Sequence, residues 1–75
     1  MKGWANMDPD ANLKEQLEIT KQINKAWDDC NADGTLTSAQ QEFVSERAER
    51  LADLVLALDG WLRGGGFRPA RWQRQ

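Results

Sequence analysis

Seventy-five residues leave room for one small domain, and a hydrophobic share of 40% with 29% charged residues places the chain among globular proteins. Cys30 is the only cysteine and histidine is absent, which excludes an intrachain disulfide and removes the commonest metal ligand and general base. The net charge of −2 is unevenly spread: residues 1–62 hold six lysines and arginines against all twelve acids, whereas residues 63–75 hold four arginines and no acid.

The opening residues Met1 to Asn6 put no apolar stretch behind Lys2, so they do not read as a signal peptide. The longest apolar run, Leu54 to Leu58, is far short of the ~20 residues that span a bilayer. With one unpaired cysteine, these features predict a cytoplasmic protein. Trp4 precedes the first helix and is not assigned a position by the pattern.

Asp8-Pro9 reads as a helix start, because Asp8 can accept a free backbone N–H and Pro9 suits the first helical position. Asp10 adds negative charge near the positive end of the helix dipole. Leu13, Leu17, Thr20, Ile23, Trp27 and Cys30 then recur on one side, flanked by Ile19 and Ala26, and predict a first helix over about 9–29. Cys30, with no cation close by in sequence to activate it, reads as a small buried hydrophobe.

Residues 29–40 resemble an EF-hand loop, with Asp29, Asn31, Asp33 and Thr35 at the oxygen-ligand positions and Gly34 at the sharp turn. Gln40 stands where a bidentate glutamate is needed, and Asp28 precedes the loop where an apolar residue usually packs. The stronger reading is an Asx-rich interhelical turn, with no metal ion and no cofactor expected.

A capping box then opens the second helix, Thr37 with Gln40 or Ser38 with Gln41. Phe43, Val44, Ala48, Leu51, Leu54, Val55, Leu58, Trp61 and Leu62 form its apolar stripe over about 38–63. Glu46 and Arg50 read as an i,i+4 pair on the polar side. Arg47 falls inside the stripe, with its stem expected along the core and its head in water. Gly64-Gly65-Gly66 ends the helix, and an arginine- and aromatic-rich tail follows.

The expected fold is therefore all-α: a two-helix antiparallel hairpin with an irregular tail, a single domain over 1–75 with residues 1–7 as an N-terminal extension and 64–75 as the tail. Two helices cover only one face of each other, and Leu56 stands off the main stripe. The chain is thus expected to dimerise into a four-helix bundle. In the tail, Phe67, Pro69 and Trp72 are expected to fold back over the open end, while the interleaved arginines Arg63, Arg68, Arg71 and Arg74 leave single-stranded nucleic acid as another ligand.

Two segments, Met7-Asp8-Pro9-Asp10-Ala11-Asn12-Leu13 and Leu51 to Leu62 followed by Arg63-Gly64-Gly65-Gly66-Phe67-Arg68-Pro69, resemble a family of small proteins of actinobacteriophages and their actinobacterial hosts. The resemblance implies that Met7 is the usual start, and it implies a host-cytoplasmic setting if the chain is phage-encoded. It carries no activity and no catalytic residue. Arg68 departs from the family's usual ending, where an apolar residue often stands. The functional expectation is a non-enzymatic interaction module that binds a host or phage protein, with Arg47, Leu56, Arg63, Phe67, Arg68, Arg71 and Trp72 as candidate contact residues. The alternative is a nucleic-acid-associated accessory protein acting through the basic tail.

Overall fold

The structure, a computed structural model, describes residues 7–73; the expectations placed on Trp4, on Arg74 and on residues 1–6 of the extension lie outside them. Two helices, α1 (Pro9–Asp28) and α2 (Ser38–Arg63), pack antiparallel as a hairpin, and a 3₁₀ turn (Ala70–Trp72) follows. The first helix starts where Asp8 accepts the backbone N–H groups of Asp10 and Ala11, at 2.9 and 3.2 Å. The second starts at Thr37: its hydroxyl accepts the Gln40 N–H while the Gln40 side chain accepts the Thr37 N–H. Of the two cap registers open to the sequence, the chain takes this one.

The seam between the helices differs from the stripe read on the first helix. In α1 the inward residues are Asn12, Gln16, Ile19, Ile23 and Ala26, with Cys30 just beyond the helix end, alternating four and three apart. Facing them, Gln40, Val44, Arg47, Leu51, Leu54, Leu58 and Trp61 follow the same alternation. Spacings of four and three keep one line of side chains toward a partner helix, as in a coiled-coil seam. Ile19, expected only on the flank, is 1% exposed, whereas Thr20 is exposed and Trp27 is 50% exposed. Likewise Phe43, Ala48 and Val55 of α2 face solvent, and Cys30 is half-buried. The reason for the rotation is that the seam opens with two amides, which a hydrophobicity pattern counts as polar.

Those amides are satisfied inside the hairpin. Asn12, 6% exposed, donates to the Leu54 carbonyl across the seam at 3.0 Å and accepts from the Gln16 side chain at 2.6 Å. Its amide also reaches the Met7 sulfur at 3.6 Å, which ties the residue ahead of the helix to the core. A buried amide with its partners in place fixes the register, since sliding one helix along the other would strand it. The apolar core around it is small: Leu13, Ile19, Leu36, Leu54 and Leu58.

Arg50 does not pair with Glu46, as its i,i+4 spacing suggested. It forms a two-pronged ion pair with Glu15 of the opposite helix, at 2.7 and 3.0 Å. The antiparallel register brings Glu15 level with Arg50, and a fork matched to a carboxylate is the better geometry. The hydrogen bond from Arg50 and the charges of Arg50 and Arg47 hold the Glu15 carboxyl below its ordinary range.

Replacing Asn12 by alanine leaves the Gln16 amide without its acceptor and should cost about 1–3 kcal/mol in urea unfolding. Because the folded-state pKa of Glu15 is depressed, its pair with Arg50 contributes stability above the unfolded carboxylate pKa of 4.5 and loses it as pH falls through the lower folded value. Both side chains remain 40–49% exposed, so solvent screening limits the effect to at most about 1 kcal/mol. Urea midpoints of wild type and Arg50→Ala should therefore converge on acidification and separate at neutral pH.

Candidate functional site

The interhelical loop uses its oxygens on itself. Gly34, at φ +86°, lets the chain reverse, and its N–H bonds the Asn31 carbonyl at 2.8 Å. Asn31 in turn donates its N–H to the Thr35 carbonyl at 2.7 Å and its side-chain amide to the Thr35 hydroxyl at 3.1 Å. Asp33 accepts both the hydroxyl and the N–H of Thr35, at 2.6 and 3.0 Å, and the hydroxyl bond leads in holding its carboxyl below the usual carboxylate range. Asp29 faces back along the helix to Lys25 at 3.1 Å, while its carbonyl accepts from the Gln40 side chain. Asn31, Asp33 and Thr35 of the EF-like spacing thus build a closed turn, while Asp29 is held by Lys25 and Gln40, with the buried Leu36 beside them.

At the opposite end, the three glycines carry a specific geometry. Gly65, at φ +91°, donates to the Leu62 carbonyl at 3.1 Å, and Gly66 donates to Trp61 at 2.9 Å; this is a Schellman closure of α2. The Trp61 ring lies directly over Gly66, so close that a Cβ there would stand 2.3 Å from the ring. The same indole donates to the Phe67 carbonyl at 2.8 Å, and the two rings meet edge to face with centroids 5.4 Å apart.

From this anchor the tail turns back onto the helices. Pro69 is fully buried, and the Ala70 N–H donates to the Asp10 carboxylate at 2.6 Å. Arg71 borders a cleft with Leu13, Leu17 and Lys14 of α1. Trp72 borders another with Gln16, Val55, Leu58, Asp59 and Leu62, so the tail lies along one side of both helices. The Gln73 side chain closes the turn on the Arg68 carbonyl at 2.9 Å. The tail follows the expected irregular course apart from the 3₁₀ turn at Ala70–Trp72, and hydrogen bonds hold it in place.

The candidate contact residues fall into three places. Phe67, Arg68, Arg71 and Trp72 are exposed at the open end of the hairpin, joined there by Arg63, which is 3.6 Å from Asp59. Leu56, 63% exposed, stands on the outer flank of α2. Arg47 sits half-buried in the seam, separate from the other two groups.

Placing every helical residue about the seam reveals an asymmetry not noticed in the stripes. At roughly 100° per residue, one side of the hairpin collects Ala11, Glu15, Glu18, Gln22, Glu46 and Arg50. The other side collects Leu17, Thr20, Asn24 and Trp27 from α1, with Gln41, Ser45, Ala48, Ala52 and Val55 from α2, whereas Leu56 lines a cleft with Glu15, Arg50 and Asp53. The α2 residues of this second side carry no charge from Gln41 to Val55, and Asp59 follows them beside Val55 and Trp72; on α1, Leu17 shares its cleft with Lys14, Glu18, Lys21 and Arg71. This second side begins beside the cleft that Trp27 forms with Leu36 and Val44, and it ends against Trp72. The signal was present in the sequence, as the run of uncharged residues at 41, 45, 48, 52 and 55.

Comparison with protein-family models, curated proteins and solved structures returns no match for the chain. Among the described residues no helix is long and apolar enough to cross a membrane, and no three acidic or cysteine side chains gather to hold a metal ion.

Gly66→Ala should force the Trp61 ring off the backbone and release its bond to Phe67. The expected result is faster hydrogen exchange at the Ala70 amide, read by NMR, with the helical circular dichroism retained.

Proposed function

We propose that this chain is a small, non-enzymatic interaction protein of the phage type, a helical hairpin that docks a host or phage protein on its uncharged side. The observation that carries this reading is the bare face itself. Trp27, Val55 and Trp72, all about half exposed, lie along a side on which the α2 residues Gln41, Ser45, Ala48, Ala52 and Val55 carry no charge. A contiguous apolar surface costs solubility and marks interaction sites more often than chance exposure does. A hairpin face of this form accepts an amphipathic helix or helix pair from another protein. The setting that goes with this reading is the host cytoplasm.

A second reading draws on the open end, where Phe67 stands 61% exposed between exposed arginines. Aromatic rings beside arginines can stack on bases and pair with phosphates. In this reading the chain is a nucleic-acid-associated accessory protein.

Capture from an actinobacterial lysate separates the two. Tagged wild type, Val55→Lys, and Arg68→Ala with Arg71→Ala are compared with and without nuclease. The first reading expects a defined protein that is nuclease-resistant, lost with Val55→Lys and kept with the arginine variant. Loss on nuclease treatment and with the arginine variant would favour the second.

A further inference from the structure

We infer that the groove between the start of α1 and the end of α2 is a docking site for a basic amphipathic helix of a partner protein. The groove lies on the charged side of the seam, apart from the face proposed above, and its role stands independently of that reading.

Shape comes first. Asp8, Ala11 and Glu15 share one face of α1, and Asp53, Leu56 and Ala57 share one face of α2, by spacings of three and four. Between these two banks lies a volume of about 710 Å³, within the range of sites that bury a ligand. The Glu15–Arg50 fork bounds it toward the loop, and Arg63, 3.6 Å from Asp59, bounds it at the open end. The floor is low because Ala11, Ala57 and Gly60 stand where longer side chains would fill the gap. A glycine inside a helix weakens it, and at position 60 it deepens the groove. Beside this floor Leu56 stands 63% exposed, so an apolar side chain laid over it removes surface of both partners from water.

Charge decides the sign of the occupant. The groove is lined by four carboxylates and two guanidiniums. Arg50 is committed to Glu15, and Arg63 lies nearest Asp59. Among the described residues, no lysine or arginine stands within 4 Å of Asp8 or Asp53. Asp8 uses one oxygen to cap α1, and Asp53 acts on Arg50 only through longer-range charge. The unmet charge is therefore negative on both banks, with an apolar floor between them. A nucleic acid or an acidic segment is repelled there. A second copy related by a two-fold axis brings carboxylates against carboxylates. A basic segment is drawn in, and from a distance too, since residues 1–62 hold twelve acids against six lysines and arginines.

Length and form favour a helix. From Arg50 to Arg63 the groove runs about 20 Å at 1.5 Å per residue, the length of roughly thirteen residues of a third helix. Two packed helices offer such a helix a groove for its apolar stripe. Its leucine-type side chains then cover Leu56 and Ala57, while lysines or arginines on its flanks reach Asp8 and Asp53.

The test uses the full chain and an end-capped, fluorescein-labelled synthetic helix of about thirteen residues, with leucines on one face and arginines flanking them. A second peptide carries glutamates in place of the arginines. Fluorescence anisotropy at low salt should show saturable binding of the arginine peptide and none of the glutamate peptide. Asp53→Lys and Leu56→Ala, both exposed positions of α2, should each weaken binding about tenfold with helical circular dichroism unchanged. Glu46→Lys makes the same change of charge outside the groove and should bind within about twofold of wild type. Absence of saturable binding overturns the inference. Equal losses in Glu46→Lys and Asp53→Lys overturn it by assigning the binding to net charge, as does full binding by Leu56→Ala. A two-chain mass in sedimentation equilibrium that Leu56→Ala reduces to one chain would give the groove to a second copy and overturn it as well.

Discussion

The hydrogen bond from the Asn12 side chain to the Leu54 carbonyl sets the position of everything else in this hairpin. Two helices with a seam of spacings four and three could pack in several registers, each a turn apart, at similar apolar burial. A buried amide removes that freedom: Gln16 of its own helix takes its oxygen in any register, but only this register sets its amide nitrogen on the Leu54 carbonyl. With the register fixed, Glu15 comes level with Arg50, and the start of α1 comes level with the end of α2. The second consequence places Asp10 where the returning tail can reach it.

The tail then depends on the same alignment. Trp61 closes the seam of α2, its ring covers Gly66, and its indole N–H holds Phe67. Pro69 and Ala70 can dock only because the first turn of α1 lies beside that exit point. The basic end of the chain thereby becomes part of the body: Pro69 is buried, and the arginines are presented on the outside around it. What the tail leaves uncovered is the stretch of uncharged surface nearer the loop.

Much of this was legible from the residues, and the failures have a common cause. Helix limits were readable because Asp8-Pro9, Thr37 with Gln40 and the glycine run are local signals, acting within four residues of the boundary they set. The orientation of α1 was not, because Asn12 and Gln16 are polar by composition and buried by partnership, and the partner of Asn12 lies 42 residues away. Arg50 was misassigned for the same reason: Glu46 is its neighbour in sequence, but Glu15 is its neighbour across the seam. Leu13, Leu17, Thr20 and Trp27 did mark an apolar side of α1. That side faces the tail and solvent, while the seam itself lies a quarter turn away.

The loop between the helices has a bearing on how the chain reaches this arrangement. Its bonds among Asn31, Asp33, Gly34 and Thr35 span no more than four residues, so forming them requires little loss of chain entropy. The Asn12–Leu54 contact closes 42 residues and the Asp10–Ala70 contact 60. If the loop forms first, each later contact closes a shorter effective segment, and the helices can zip from the loop toward the open end. A turn spaced like a metal site would then act as the starting point of folding, and the basic tail would be the last part to dock.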